Sequence, residues 1–244
     1  METNEIEIRQ LIELSEFAEV LRLQREIWGF DDIELLPLRL FVVANKIGGQ
    51  VLGAFHHRKM IGFCLCIPGI KPGGKPYFHS QMLGVLPDYR NTGLGRRMKL
   101  AQREYALACG VELIEWTFDP LGLKNAFFNI EKLGAIARRY VYNQYGRTSS
   151  HLHGGLPTDR LVAEWWLRTS RAEAALNQRP VERPSIEARV EVPANFFGLV
   201  REDAARAASI QAAIGEQFET HFRSGLAVVG IQKNLYLLGA WDSK

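Results

Sequence analysis

Apolar residues along the chain either alternate with polar ones or recur every three or four positions. The alternating and continuous apolar runs predict strands, and the helical periodicity predicts the helices between them. The predicted strands are residues 6–12, 50–55, 60–67, 77–85, 111–118, 135–142 and 161–167. The predicted helices are residues 14–28, 37–46, 94–109 and 121–133. This order indicates a mixed α/β domain in which strands predominate.

A charged segment with two prolines, Pro180 and Pro184, follows the last of these strands and predicts a linker over residues 169–184. Three further elements are predicted beyond it: a strand over 185–192, a helix over 201–222 and a hairpin over 226–241. We therefore expect a main domain over residues 1–168 and a small α+β appendage over residues 185–244. The appendage has no catalytic grouping, so we expect it to cover one end of the main sheet or to support a homodimer.

Composition and charge exclude several classes of partner. The 244 residues are 47% hydrophobic and 23% charged, and no apolar run is long enough to span a membrane. A net charge of +3 is too small to predict nucleic-acid binding. We expect a cytoplasmic protein without nucleic-acid or membrane partners.

The cysteines and histidines do not have the spacing of metal ligands. Cys64, Cys66 and Cys109 are an odd set, and we expect them to be reduced core residues. His151 and His153 lie beside glycines without a placed third ligand, which favours a flexible loop over a metal site. We expect no metal cofactor.

A turn that contains Gly93 and Gly95 joins the predicted strand 77–85 to the predicted helix 94–109. The first N–H groups of a helix have no internal partners, and the helix dipole adds positive potential there. The glycines allow a ligand to approach the backbone. The basic residues around this turn are Arg90, Arg96, Arg97, Lys99 and Arg103. This arrangement predicts a site for a polyphosphate ligand.

The two commonest nucleotide loops do not fit this turn. The motif Gly-x-x-x-x-Gly-Lys-Ser/Thr is absent, and Met98 occupies the third glycine position of a dinucleotide-binding loop. The segment 90–95 instead resembles the Arg/Gln-x-x-Gly-x-Gly/Ala turn of the GNAT superfamily of acyl-CoA-dependent N-acyltransferases, in which a strand and a Val-x-Pro step also precede the turn. The resemblance covers roughly residues 5–168 and implies a mixed, mostly antiparallel central sheet flanked by helices.

Three further segments support and qualify this resemblance. Residues 125–134 resemble the family's Asn-x-x-Ala…Tyr-x-Lys-x-Gly helix, but the alanine spacing is shifted and Ile130 replaces the tyrosine that protonates the departing thiolate in many members. Segments 116–121 and 155–160 look like those of a little-characterised subgroup of predicted acetyltransferases. Some relatives in that subgroup are associated with N-succinylation of amino acids.

The resemblance implies acetyl-CoA or another acyl-CoA as co-substrate. Backbone groups of Leu83, Gly84 and Val85 would bind the pantetheine arm and the thioester carbonyl, and Asn125 would contact the same arm. The pyrophosphate would lie on the turn formed by Arg90, Asn91, Thr92, Gly93, Leu94, Gly95 and Arg96.

Acyl transfer to an amine also needs a base and a tolerable leaving group. His79 lies eleven positions before Arg90, the offset at which some family members place a strand glutamate that deprotonates the amine. Histidine, with a pKa near 6.5, suits this task. Glu115 and Asp119 are rival candidates. A structural histidine and capping carboxylates are the alternative interpretations.

A hydroxyl for the leaving thiolate could come from Tyr140, Tyr142 or Tyr145, although these are equally typical of core aromatic residues. Arg160 could bind a substrate carboxylate or could pair with a carboxylate of its own chain, and Asp119 could also contact the substrate. We therefore expect an N-acyltransferase that moves an acetyl or other short acyl group, including succinyl, to a small amine such as an amino acid. The alternative is a non-catalytic acyl-CoA-binding or sensing module.

Overall fold

The computed structural model describes residues 5–146, 148 and 155–241. His151 and His153 lie outside the described residues. The chain forms two compact units, the first ending at Glu115 and the second beginning at Trp116. The sequence-based domain boundary at residue 168 stays a prediction.

The first unit contains a sheet and three helices. Its elements are β1 (Ile6–Gln10), α1 (Leu14–Trp28), α2 (Leu38–Lys46), β2 (Gln50–His56), β3 (Lys59–Ile70), β4 (Pro76–Val85), α3 (Leu94–Ala108) and the first half of β5 (Leu113–Phe118). The strands are ordered β1-β2-β3-β4-β5. Neighbours are antiparallel except for the parallel pair β4 and β5. Because antiparallel neighbours can be joined by tight turns, β2 and β3 form a hairpin with a two-residue loop.

Helix α1 begins and ends at residues that favour helix caps. Glu13 and Glu16 form a reciprocal capping box at the start of α1, and Gly29 ends that helix in the left-handed conformation at φ 69°. The apolar face of α1 packs in a core that also contains Phe41 and Phe63.

The described residues of the second unit form five antiparallel strands after β5, four α-helices and a short π-helix. Its elements after β5 are α4 (Leu123–Phe127), β6 (Ile136–Val141), β7 (Arg160–Trp166), α5 (Ser170–Leu176), β8 (Ala188–Glu191), α6 (Phe196–Glu202), α7 (Ala204–Arg223), β9 (Leu226–Gln232) and β10 (Leu235–Ala240). The strand order is β7-β6-β9-β10-β8. An aromatic cluster of Tyr140, Phe218 and Tyr236 packs α7 on this sheet.

The predicted mixed α/β fold, with a mostly antiparallel sheet and flanking helices, is confirmed. Among the described residues, no helix is both long enough and apolar enough to cross a lipid bilayer. Cys64 and Cys66 are buried free thiols, as expected, but Cys109 is exposed and the expectation of a core position was wrong for it.

Several predicted elements have different bounds because local capping intervenes. The segment predicted as a linker contains α5, which begins where the Thr169 side chain accepts a hydrogen bond from the Ala172 N–H. The single helix predicted over 201–222 is two helices, because Asp203 ends α6 and its carboxylate caps α7 at the Arg206 N–H, 2.9 Å away. The helix predicted over 121–133 begins at α4 and continues as a π-helix over Phe128–Lys132.

Candidate functional site

The turn before α3 leaves the start of that helix without a side-chain cap. Asn91 and Gly93 have left-handed backbones at φ 62° and φ 85°, and Thr92 Oγ1 donates to the Tyr89 carbonyl at 2.8 Å. Gly93 is the N-cap residue and has no side chain that could cap the helix, and the first turn of α3 carries no acidic residue. The positive potential of the helix start is therefore not neutralised by the turn itself.

The basic residues of this region have different environments. Arg90 is exposed, and its Nε donates to the Val85 carbonyl at 3.1 Å, which holds the guanidinium beside the turn. Arg96 is half-buried within the first turn of α3. Arg97 Nη2 donates to the Ile6 carbonyl at 2.7 Å and joins α3 to β1. Arg90 and Arg96 therefore lie next to the first N–H groups of α3, where an anion would bind.

Lys99 is not part of the basic rim, and its inclusion in that rim was wrong. Its side chain is buried, and Nζ donates to Ser80 Oγ at 2.8 Å, while Ser80 Oγ donates to Gln102 Oε1 at 3.0 Å. Burial lowers the pKa of the Lys99 amine to about 8. Lys99 and Gln102 lie three positions apart on the buried face of α3. Residues at this spacing share one face of a helix, so the sequence could have indicated that these two polar side chains lie together.

The end of β4 lies directly below the start of α3. A Cβ on Gly95 would be 3.7 Å from Leu83 Cδ2. Gly84 has no room for a side chain, because a Cβ there would be 2.6 Å from Trp28 Cη2 of α1. Of the three residues expected to offer backbone groups, Leu83 lies against the helix start, and Gly84 and Val85 follow it at the end of β4.

Within the first unit, β4 pairs with β5 at Phe78–Ile114 and His79–Glu115. From Ser80 to Val85, the described pairs of β4 in this unit are with β3 alone. Gln81 has no direct partner across β3, because the register shifts between Met82 and Ser80. Ser80 still pairs with Cys66, so the unpaired Gln81 lies two residues after His79.

His79 is half-buried two residues before the unpaired Gln81, and its pKa is lowered mainly by burial. Neighbouring Glu115 and a hydrogen bond with the Gln81 side chain oppose this shift, whereas Lys99 and Lys71 reinforce it. A lowered pKa means that the imidazole is neutral at pH 7 and can accept a proton.

Glu115, the rival base, is buried and paired. Lys71 Nζ lies 2.5 Å from Glu115 Oε2, and the Glu115 side chain is 5% exposed. The Glu115 carboxylate is thus already engaged by an ammonium group of its own chain. Lys71 was not singled out in the sequence, because it lies in an irregular loop far from Glu115 along the chain.

The remaining candidates lie in the second unit. Tyr140 is buried, donates to Asp159 Oδ2 at 2.8 Å and has its pKa raised well above the ordinary value by burial and by Asp159. The other oxygen of Asp159 accepts from the Asn143 N–H at 2.8 Å. Both carboxylate oxygens of Asp159 therefore accept hydrogen bonds from its own chain, which is typical of a structural role for Tyr140 and Asp159. Asn125 is an exposed residue of α4.

Asp119 and Arg160 influence each other electrostatically in this unit. Burial raises the pKa of Asp119 and lowers that of Arg160, and each group opposes the shift of the other. Asp119 Oδ1 accepts from the Leu121 N–H at 2.8 Å, and Arg160 Nη1 donates to the Asp159 carbonyl at 3.0 Å. Of the two interpretations of Arg160, pairing within its own chain agrees better with these contacts.

The comparisons with known proteins bear on the family and the fold of the chain. The sequence profile described as the acetyltransferase (GNAT) family matches residues 13–134, half of the chain. A search of curated protein sequences found no significant match.

Three solved structures illustrate the fold similarity. The putative acetyltransferase yncA from Salmonella typhimurium, solved with its cofactor acetyl-CoA, has a TM-score of 0.54 at 14% identity and covers 67% of this chain and 95% of its own. NAA60 from Arabidopsis thaliana, in complex with a bisubstrate analogue, scores 0.53 at 15% identity over 66% and 97%. The ribosomal-protein-S18-alanine N-acetyltransferase from Escherichia coli scores 0.52 at 15% identity over 68% and 96%. At these identities the structures show the fold alone, and together with the profile match they lead to one conclusion: the chain belongs to the GNAT family of acetyltransferases.

Proposed function

We propose that the chain transfers an acetyl or other short acyl group, including succinyl, from an acyl-CoA to the amine of a small molecule such as an amino acid. The observation that carries this proposal is the uncapped start of α3, preceded by a left-handed glycine and flanked by Arg90 and Arg96. The N–H groups and the two guanidinium groups offer a pyrophosphate both hydrogen bonds and positive charge. Leu83 lies beneath the same helix start, and the backbone groups of Leu83 to Val85 would bind the pantetheine arm.

His79 is the base in this proposal. Its imidazole removes a proton from the substrate ammonium group, and the neutral amine attacks the thioester carbonyl carbon. A C–N bond forms, the C–S bond breaks, and coenzyme A leaves as the thiolate. The first ammonium proton is retained on His79 until solvent removes it. The nitrogen loses its second proton to the departing thiolate or to solvent as the tetrahedral intermediate collapses to the amide.

The chain does not need a tyrosine at position 130 for this sequence of steps. Ile130 is buried and offers no proton, and the raised pKa of Tyr140 together with its bond to Asp159 makes it a poor donor. A thiol has a pKa of about 8.5, so the thiolate leaves acceptably near neutral pH without a dedicated acid. We therefore leave Tyr140 and Glu115 out of the reacting groups and keep Asn125 as a predicted contact of the pantetheine arm.

The acceptor is the least constrained part of the proposal. A carboxylate-bearing amine was expected from Arg160, but the proximity of Arg160 to Asp119 and Asp159 weakens that support. The screen should therefore include amino acids, simple amines and a short peptide. A cytoplasmic location and a homodimer stay predictions.

The test is to incubate the protein with acetyl-CoA or succinyl-CoA and this acceptor panel, and to measure the release of free thiol. We expect His79→Gln to lower turnover by about 10²- to 10⁴-fold, the usual contribution of a positioned base, with little change in coenzyme A affinity. Because the pKa of His79 is lowered from 6.5, the wild-type rate should rise with pH below about 6.5 and then level, apart from the acceptor's own ionisation. This acidic limb should be missing in the variant.

The matched control is His221→Gln on α7, a histidine of the second unit that the proposed site does not use; it should keep wild-type turnover. Equal turnover and equal pH profiles for wild type and His79→Gln would show that another group is the base. Binding of coenzyme A without turnover on any acceptor would favour the alternative function, a non-catalytic acyl-CoA-binding module.

A further inference from the structure

Glu5, His56 and His57 bring three potential metal-binding atoms together where β1 begins and β2 ends. Glu5 Oε2 lies 3.5 Å from His56 Nε2 and 3.2 Å from His57 Nε2, and the three ligand atoms are all within 4.8 Å of one another. In a tetrahedral site with bonds of about 2.0–2.1 Å, neighbouring ligand atoms are roughly 3.3 Å apart. The two measured separations match this spacing.

The His56 ring is oriented by a group outside the cluster. His56 Nδ1 lies 2.9 Å from the Tyr89 hydroxyl, and the two rings pack edge to face with centroids 5.5 Å apart. When Nδ1–H donates to the Tyr89 oxygen, Nε2 keeps its lone pair and points it toward Glu5. Metal-binding histidines are usually held in this way, through a hydrogen bond at the nitrogen that does not bind the metal.

The backbone of the hairpin loop is unusual for its sequence. His56 pairs with Lys59, so His57 and Arg58 form a two-residue loop, and both have left-handed backbones at φ 47° and φ 66°. Such a loop favours the sequence Asn-Gly, because most other residues are strained in the left-handed conformation. Here it places the His57 ring beside the ring of His56, the last residue of β2, with centroids 4.2 Å apart. A ligand shared by the two rings would account for a histidine at this position.

We propose that Glu5, His56 and His57 form a binding site for one divalent late first-row transition-metal ion, such as Zn²⁺, with water completing its coordination. Imidazole nitrogens with one carboxylate suit these ions better than Mg²⁺ or Ca²⁺, which prefer oxygen ligands. The ion would link β1 to the β2–β3 hairpin. Through Tyr89, whose carbonyl accepts from Thr92 Oγ1, it would also brace the turn before α3.

The site could not be found from sequence spacing, because Glu5 is far from the two histidines along the chain. Adjacent histidines in a hairpin loop are not by themselves a metal motif. This proposal does not depend on the proposed acyl transfer, since it rests on the ligand atoms alone.

The test is a titration of tag-free protein with Zn²⁺ in competition with a chromophoric chelator, repeated with Co²⁺ to record the absorption bands of tetrahedral coordination. We expect one ion per chain. His57→Asn should weaken Zn²⁺ binding at least tenfold while the metal-free protein stays as stable as wild type or becomes more stable, because asparagine tolerates the left-handed backbone. Tyr89→Phe should weaken binding by about 10- to 100-fold, as expected for loss of an orienting hydrogen bond.

Glu5→Gln is the second ligand variant and should also lose at least tenfold in affinity, whereas His221→Gln should bind Zn²⁺ as the wild type does. Thermal unfolding without metal establishes that each variant is folded. The proposal is overturned if the wild type does not bind Zn²⁺, or if His57→Asn and Glu5→Gln both bind it with wild-type affinity. Loss of binding only in a His151→Asn/His153→Asn double variant would likewise overturn it.

Discussion

At the scale of single residues, burial sets the charge of two basic side chains near β4. It lowers the pKa of both His79 and Lys99, but from different starting values, about 6.5 for imidazole and 10.5 for the amine. His79 is therefore neutral at pH 7 and can act as a base, whereas Lys99, with a pKa of about 8, remains mostly charged and donates to Ser80. The same physical effect produces one proton acceptor and one buried cation.

The buried cation should reduce stability at neutral pH. Below pH 8 the amine of Lys99 is protonated in both the folded and the unfolded chain, so the folded state bears the full cost of burying a charge. Between about pH 8 and 10.5 the folded state releases its proton first, and this cost declines as pH rises. Lys99→Met should therefore be most stabilising, relative to wild type, at or below pH 7. We expect the difference in free energy of unfolding to fall by up to roughly 3 kcal/mol towards pH 10, as measured by urea denaturation.

Comparison of variant with wild type at each pH removes the contributions of titrating groups that do not interact with Lys99. Cys64 does interact with Lys99, but burial raises the pKa of its thiol to about 11, so the thiol stays protonated in the folded chain up to about pH 10. Leu100→Met, a neutral change one residue further along α3, serves as the control, and its effect should not vary with pH. A constant difference for Lys99→Met across this range would mean that the amine titrates equally in the folded and unfolded chain.

At the scale of elements, the start of α3 depends on a backbone conformation rather than on packing. Gly93 has φ 85°, and a Cβ added there would meet nothing within 4 Å. The glycine therefore satisfies a left-handed turn and at the same time leaves open space over the first N–H groups of the helix. These are two separate requirements that different substitutions can distinguish.

Gly93→Ala should lower the free energy of unfolding by about 1–2 kcal/mol, because alanine is strained in the left-handed region. Gly93→Asn should lower it less, since asparagine tolerates that region. Both side chains would occupy the space over the helix start, so both variants should bind coenzyme A at least tenfold more weakly in calorimetric titrations, the loss expected when a pyrophosphate gives up its backbone hydrogen bonds.

Gly48 provides the matched control, because its φ is 86° and a Cβ there would also meet nothing within 4 Å. Gly48→Ala should have the same cost in stability without a change in coenzyme A affinity. Wild-type affinity in Gly93→Asn would show that the ligand does not approach the backbone of this turn.

At the scale of the whole chain, sequence patterns predicted the elements better than they predicted the buried polar contacts. The strands of the first unit and the turn at Gly93 were predictable, because apolar alternation and a glycine at a helix start have direct physical causes. Helix α5 was missed because the two prolines suggested a linker, although Thr169 is a good helix cap. The pairing of Lys71 with Glu115 and the cluster around Glu5 were not predictable, because they join residues that are distant in the sequence.

Coenzyme A should stabilise the folded chain measurably if the start of α3 binds its pyrophosphate. A ligand present at a hundred times its dissociation constant adds about 2.7 kcal/mol to the free energy of unfolding. For a chain of this size, that corresponds to an increase in Tm of about 5 to 10 °C in a thermal unfolding experiment. Pantetheine lacks the pyrophosphate and the nucleotide, so it should give a much smaller increase at the same concentration. A Tm that does not change with millimolar coenzyme A, or that changes equally with pantetheine, would contradict the assignment of the turn between Arg90 and Gly95 as the pyrophosphate site.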